Sequence, residues 1–410
     1  MRGLEEAYRA LSEIYRNGAW IGEAIKRQGQ SLRDAKGAFR LVYEVVEHDL
    51  LLEYRIGLLT EHSPKAPAKI LLKMGMRLLD DSDLPEYAVV NEIAETAKKV
   101  GKGGVGGFLN AVLRRYAREG RDRYPTDREE LLSVRSNLPI WLVRRYEREL
   151  GEKVAEGRLL APRTAKTHVR PSFAFGEEAL ENCLKERKIA FESTDHGVFL
   201  QDVGGIGDLL AEGKATVMSW DSLEVCDALP YRSGAILDLC AAPGGKSVYL
   251  SEKFDAEVVA CDLHEHRLSL IESYAARMGT DKVKATLSDG RIFREEWRGA
   301  FSVVLVDAPC SGLGSLASNP DIALRRTEAQ LTELIATQRQ LLAVAGKYVN
   351  AGGALVYATC SDLPSEDGDI VRDFLREEED FSLEKEKYTD PEQGGGDSYY
   401  CAVLRKKGCC

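Results

Sequence analysis

Three short motifs hold the residues able to do chemistry. Asp307-Ala308-Pro309-Cys310-Ser311-Gly312 follows the apolar run Ser302 to Val306, and Tyr357-Ala358-Thr359-Cys360-Ser361 follows Gly353 to Val356. The third, Cys240-Ala241-Ala242-Pro243-Gly244-Gly245-Lys246, follows Ile236 to Leu239. Each stands where a predicted strand breaks into a turn, and open parallel sheets bind ligands at those strand ends. A thiol acts as a nucleophile when it is partly exposed and its thiolate is favoured. Two such thiols and a carboxylate over one crevice suit addition to carbon 6 of a pyrimidine. The adduct is an enamine whose carbon 5 can accept a methyl group. A carboxylic acid near ring N3 would stabilise the charge that builds there, and a base would then remove the carbon-5 proton so that the thiolate leaves. The plainer reading makes Cys310 and Cys360 small core residues. Their places in turn-bounded motifs favour chemistry. Cys240 and Cys261 lie in or at the end of apolar strands, where packing accounts for them, and Cys183, Cys226 and Cys401 carry no functional signal.

The glycine motif is the start of a strand–turn–helix unit. Glycine lets the backbone approach a ligand because no Cβ intervenes. Asp262 ends the next apolar run, Val258 to Cys261, where such folds place a carboxylate for ribose hydroxyls. A phosphate-binding P-loop would need glycine where Cys240 stands. The G-x-G-x-x-G pattern is absent, which disfavours a nicotinamide dehydrogenase.

The chain of 410 residues suffices for two or three domains. Nothing in it has the apolar length of a membrane span, and its first residues do not read as a signal peptide. Nine cysteines without C-x-x-C pairs suggest reduced thiols in a cytoplasm, with no metal centre. The Cys409-Cys410 pair reads as a frayed tail. The net charge of −10 argues weakly against a nucleic-acid partner, but residues 101–150 carry 11 basic against 7 acidic side chains. A local basic patch is what such binding needs.

Residues 1–132 show helical spacing at Leu4 to Tyr15, Ala38 to His48, Ala68 to Leu79, Tyr87 to Val100 and Phe108 to Arg118. The acidic loop Asp80 to Asp83 closes the third. His48 and His62 are isolated and read as structural. Residues 133–222 open with a helix from Ser136 to about Glu156, then give a strand at Thr167 to Arg170, a helix at Gly176 to Arg187 and a strand at Gly197 to Leu200. Residues 223–410 alternate: strands at 235–240, 257–261, 283–287, 302–306, 353–359 and 399–404, helices at 246–254, 264–278, 328–349 and 366–378. The last strand follows the loop Gly394-Gly395-Gly396. The expectation is an all-α bundle, a small mixed α/β subdomain and a doubly wound, mostly parallel α/β sheet.

Ala68-Lys69-Ile70-Leu71-Leu72-Lys73-Met74-Gly75, Leu84-Pro85-Glu86-Tyr87-Ala88-Val89-Val90-Asn91-Glu92 and Gly107-Phe108-Leu109-Asn110-Ala111-Val112-Leu113-Arg114-Arg115 resemble the NusB-type RNA-binding domain. With the motifs at 237–247, 306–312 and 357–361, essentially the whole chain resembles the Fmu/Sun (RsmB) family of ribosomal RNA cytosine methyltransferases. The resemblance implies a NusB-like domain at 1–132, a middle RNA-binding subdomain at 133–222 and a Rossmann-like class I methyltransferase domain at 223–410. It implies S-adenosylmethionine as methyl donor, Cys360 as nucleophile, Cys310 as the group assisting release, and Asp307 beside the ring. Residue physics alone leaves the order of the two cysteines open, since DNA cytosine methyltransferases use a Pro-Cys cysteine as nucleophile. Carried over, cofactor contacts fall on Cys240, Ala241, Ala242, Pro243, Gly244, Gly245, Lys246, Asp262, Asp289 and Asp307, with Asp289 near the adenine. RNA contacts fall on Arg114, Arg115, Arg118 and Arg170.

The sequence departs from the family at several points. Pro171-Ser172 stand where an asparagine is usual two residues after Arg170, and Trp220 replaces a glutamine before Asp221-Ser222. Ala317-Ser318 replace basic residues before Asn319-Pro320-Asp321, and Glu366-Asp367-Gly368-Asp369 replaces a glutamate-asparagine-glutamate run. The expected activity is methylation of an unpaired or flipped cytosine of 16S ribosomal RNA by a cytoplasmic monomer. The alternatives are the same chemistry on transfer RNA and a non-catalytic RNA-binding assembly factor.

Overall fold

The computed structural model describes residues 3–29, 36–81, 83–201, 203–389 and 396–408. Residue 82 of the acidic loop, glycines 394 and 395, and the cysteine pair 409–410 lie outside them. The chain falls into two units, Met1–Ala161 with Asn319–Arg325, and Pro162–Ser318 with Arg326–Cys410.

The first unit is helical. The central helix Ala66–Asp81 buries Ile70, Leu71, Leu72, Met74, Met76, Leu78 and Leu79, so the apolar residues of the sequence pattern do face a core. Each such side chain contributes about 1.5–3 kcal/mol when fully buried. Gly75 is required by packing: a Cβ there would stand 2.7 Å from Leu113 Cδ1. Helices Asp49–Leu59 and Arg128–Ser136, not foreseen from periodicity, complete the bundle. Asn137 takes a left-handed conformation (φ 54°) after the second of these, and its side chain accepts from Leu50 N at 2.9 Å and donates to Val46 O at 2.7 Å. The single helix expected from 136 to 156 is two, Ile140–Leu150 and Glu152–Leu159. Gly151, at φ 78°, ψ 153°, cannot continue a helix. Asn319–Arg325 also belongs to this unit. Asp321 accepts from Ile21 N at 2.7 Å, and Arg325 donates to the carbonyls of Gly18 and Ala19 while lying 4.4 Å from the Trp20 ring centre.

The second unit holds two sheets. The smaller has four antiparallel strands in the order β2 (Phe191–Thr194), β3 (Gly197–Leu200), β1 (Thr167–Pro171) and β4 (Ala215–Val217). The larger contains β5 (Ile236–Asp238), β6 (Val258–Asp262), β7 (Val283–Leu287), β8 (Phe301–Asp307), β9 (Val349–Thr359), β10 (Phe381–Tyr388) and β11 (Tyr400–Lys406). Its order is β10-β11-β9-β8-β5-β6-β7. Strands β9, β8, β5, β6 and β7 run parallel, and β11 and β10 are added antiparallel to β9. Val303 to Val306 and Ala354 to Ala358 are buried throughout, the unbroken apolar run of strands covered on both faces. Sequence alternation anticipated every strand of this sheet except β10. Its Phe-Ser-Leu-Glu-Lys-Glu-Lys-Tyr segment is mostly exposed at the sheet edge, where charge is usual. The sheet order reverses beside β5, whose neighbours are β6 and β8, and the crevice at such a switch point is where ligands bind.

Candidate active site

Strands β5, β8 and β9 bring the three motifs together. Cys310 and Cys360, 50 residues apart in sequence, have their sulfurs 3.2 Å apart. Cys310 is nearly buried, and Cys360 is partly exposed. Lys246, on the first turn of the helix Gly245–Phe254, donates to Asp307 Oδ2 at 2.7 Å and to Ser222 Oγ at 3.1 Å. Its ammonium lies 5.4 Å from the centre of the Tyr399 ring.

The electrostatics follow from these neighbours. Burial tends to lower the pKa of Lys246, but the Asp307 carboxylate, Tyr399 and the hydrogen bond to Asp307 outweigh it and raise the pKa above the ordinary value. Lys246 therefore stays an ammonium. Burial and the adjoining Cys360 raise Tyr399, which stays a phenol. The Cys310 thiol is pushed well up, first by its hydrogen bond to Cys360 and then by burial and the charge of a Cys360 thiolate. Cys310 thus keeps its proton while Cys360 is free.

The loops carrying the thiols are held from behind. Arg326 donates to Ser311 O at 2.6 Å and to Cys310 O at 3.2 Å. Gly314 N donates to Cys360 O at 2.9 Å, and Ser398 N donates to Gly314 O at 2.7 Å. A Cβ at Gly314 would stand 2.2 Å from Ser398 O, so only glycine allows this approach. Glu366, fully buried, accepts hydrogen bonds from both Ser311 and Ser361.

The cofactor candidates lie along the adjoining strand ends. Gly244, at φ 108°, has a backbone that L side chains rarely adopt, and a Cβ there would also press on Ile271 Cα at 3.1 Å. Asp262, buried at the end of β6, accepts from His264 N at 3.0 Å and pairs with Arg267 at 3.2 Å; Arg267 also reaches Ala242 O at 3.2 Å. Asp289, beyond β7, is held in a two-pronged pair by Arg291 at 2.9 and 2.7 Å. Asp238, at the end of β5, is buried; burial pushes its carboxyl up to about 6, against the hydrogen bond from Ser247. Its Oδ1 has no hydrogen-bond partner. Pro243 is exposed, Ala242, Gly245 and Cys240 are partly so, and Ala241 is buried. Glycine backbone, the amides of a helix N-terminus, Asp262 and the unpaired oxygen of Asp238 form a donor set that fits a ligand bearing a carboxylate, an ammonium and ribose hydroxyls.

Of the arginines, Arg114 and Arg118 are exposed on the helix Gly106–Glu119. Arg115 on the same helix pairs with Glu119 at 2.7 Å. Arg170 is a correction. It is 1% exposed, donates to Glu252 at 2.6 Å and lies 5.2 Å from the Tyr249 ring centre, so its charge serves packing within the second unit and is not presented to RNA. His196, Glu224 and Asp227 also converge, with ligand atoms within 4.8 Å of one another. Lys387 and Lys253 already donate to these carboxylates, which makes the group an ion-pair cluster.

Sequence reasoning passed over Tyr399, Ser222, Glu366, Gln338 and Arg326. Tyr399 read only as the start of a strand. Ser222 and Glu366 were noted only inside segments that depart from the family pattern. Nothing local marks Gln338 or Arg326.

Comparison with known proteins bears on the family and the fold. Residues 229–403 match the 16S rRNA methyltransferase RsmB/F family, and residues 2–118 match the NusB family. The chain is 29% identical over 440 residues to the probable ribosomal RNA small subunit methyltransferase B of Bacillus subtilis (strain 168), covering 98% of each. It is 30% identical over 434 residues to the ribosomal RNA small subunit methyltransferase B of Salmonella agona (strain SL483), again covering 98% of each. Among solved structures, that of PH0851 superposes with a TM-score of 0.80 at 22% identity over 99% of this chain and 98% of that one. NSun6 from Pyrococcus horikoshii with SFG superposes with a TM-score of 0.56 at 18% identity, over 65% of this chain and 98% of that one.

Proposed function

The chain belongs to the RsmB/F family of 16S rRNA methyltransferases, and on that premise we propose that it methylates carbon 5 of a cytosine in 16S ribosomal RNA through a covalent cysteine adduct. The observation that carries this is the thiol pair at 3.2 Å beside the Lys246–Asp307 pair at 2.7 Å.

In this reading Cys360, the more exposed sulfur, adds to carbon 6 of an unpaired or flipped cytosine. Negative charge then builds on the ring. The Lys246 ammonium faces it, and the Asp307 carboxylate accepts from the exocyclic amine, so the pair shares the task first expected of Asp307 alone. Cys240 to Lys246, Asp262 and Asp289, with Asp307 at the edge of the site, would hold S-adenosylmethionine, whose methyl group would be electrophilic enough for carbon 5. Cys310 then takes the carbon-5 proton, and the Cys360 thiolate leaves. The state of Cys310 fits that order. Its raised pKa is owed first to the hydrogen bond with Cys360, a cause that the thioether would remove, while burial and Glu366 go on raising it. Cys310 must therefore first give up its own proton, to solvent, before it takes the one on carbon 5.

We read residues 1–132 as the RNA-binding domain, using Arg114, Arg115 and Arg118, residues 133–222 as a middle subdomain beside the substrate, and residues 223–410 as the catalytic domain. The protein acts as a cytoplasmic monomer. The test is transfer of tritium from labelled S-adenosylmethionine to unmodified 16S RNA, with transfer RNA alongside. Cys360→Ala should abolish label and form no adduct, and Cys310→Ala should accumulate a covalent RNA–protein complex. Label in transfer RNA alone would sink the substrate assignment. Adduct with Cys360→Ala but not with Cys310→Ala would reverse the two roles.

A further inference from the structure

We propose that Glu366 is the positioning residue that sets the separation of the two thiols. This rests on the reading of Cys310 and Cys360 as the reacting pair. Glu366 sits in a single helical turn, Pro364–Glu366, and is completely buried. One carboxylate oxygen accepts from Ser311 N at 2.8 Å and Gln338 Nε2 at 3.0 Å. The other accepts from Ser361 Oγ at 2.7 Å and from Ser311 Oγ. Ser311 directly follows Cys310, and Ser361 directly follows Cys360. One carboxylate therefore grips both loops one residue away from each sulfur.

The bracket is braced in turn. Gln338, from the helix Glu328–Tyr348, also donates to Pro309 O at 3.0 Å, on the other side of Cys310. Tyr357 donates to the Glu366 carbonyl at 2.6 Å, and Thr359 donates to Asp367 at 2.5 Å. Strand β9 and the turn that follows it are thus locked to each other just before Cys360. A buried carboxylate that loses one acceptor oxygen leaves donors unpaired, so the cost falls on the loops it holds. Glu366→Gln can keep these contacts only with both hydroxyls turned to accept from its amide, so bonds to a carboxylate become weaker neutral ones. Glu366 hydrogen-bonds neither reacting sulfur, so its grip on them passes through the two serines, although its charge also raises the Cys310 thiol.

The test separates geometry from chemistry. Diamide, an azo oxidant, takes two electrons and two protons from a thiol pair as the S–S bond forms. Its rate of closing Cys310 to Cys360 in the full chain, without RNA and compared at equal thiolate content from a pH series, reports how often the sulfurs meet. Glu366→Gln should slow that closure about tenfold or more and lower kcat about 100-fold, the scale of a misplacement near 1 Å. KM for S-adenosylmethionine and binding of S-adenosylhomocysteine should stay as in the parent. Glu366→Asp should recover part of both losses. If the Gln variant does not fold, Ser361→Ala, which removes one grip, should give an intermediate slowing of closure. Closure at the parent rate in a folded Glu366→Gln protein overturns the proposal, even if kcat falls. Absence of methyl transfer by the parent protein would instead count against the functional reading, while the closure rates would still decide the role of Glu366.

Discussion

At the scale of single residues, the site is a set of charges arranged so that few side chains are free to change state. Lys246 remains an ammonium because Asp307 faces it at 2.7 Å, and Cys310 remains a thiol because Cys360 faces it at 3.2 Å. Asp221 is the opposite case. It is fully buried, and the contact with Thr389 offsets little of the cost of burying its charge. Burial, with Asp397 nearby, pushes its carboxyl up to about 7. A folded-state pKa above the unfolded value means that the folded state binds the extra proton. The stability this contributes is complete below about pH 4 and is lost as pH rises through 7. Asp221→Asn should therefore melt above the parent at pH 8, by on the order of a few kcal/mol, and close to it near pH 4. Equal melting differences at the two pH values would show that Asp221 is not held protonated.

Elements set the separations that residues use. The ends of β8 and β9 are paired neighbours, and the loop after Cys310 can fold back onto Cys360 and Ser398 because Gly314 has no side chain. Gly314→Ala should cost about 1–3 kcal/mol of stability through the clash with Ser398 O, with a larger fall in kcat than in cofactor affinity. Thermal melting and methyl-transfer kinetics would read the two effects, and an unaltered kcat would show that the loops tolerate separation. The same elements explain what could be read in advance. Strands β5, β6, β8 and β9 are buried on both faces, so their sequences are continuous apolar runs ended by turn residues, and the motifs at their ends were visible. The charged β10 gave no such signal, because an exposed edge strand needs solubility more than burial. Short β4 depends on β1, far away in sequence, and short β2, largely exposed, is the outer strand of a hairpin with β3. The bracket of Glu366 was hidden for a related reason: its meaning lies in which loops it joins, and only the tertiary structure states that. Arg170 misled because an arginine in a strand looks the same in sequence whether it faces solvent or Glu252.

For the whole molecule, charge is divided between jobs. The exposed Arg114 and Arg118 stand on one helix of the first unit, while the chain as a whole carries −10. If these arginines contact phosphates, Arg114→Glu with Arg118→Glu should weaken 16S RNA binding while leaving S-adenosylhomocysteine binding unchanged. Each phosphate contact removed should flatten the salt dependence by about 0.7–0.9 in the slope of log K against log salt. An unchanged slope would assign RNA binding to another surface. Finally, β11 is the latest in sequence of the seven large-sheet strands, yet it lies inside the sheet between β9 and β10. Tyr399, at its entrance, faces Lys246. A nascent chain on its ribosome thus carries the glycine loop and both thiols well before Tyr400–Lys406 emerges. Until then β9 is a bare edge, β10 has nothing to pair with, and the lysine lacks its aromatic neighbour. The crevice around Lys246 is therefore complete only once Tyr399 and β11 have joined strands made long before them.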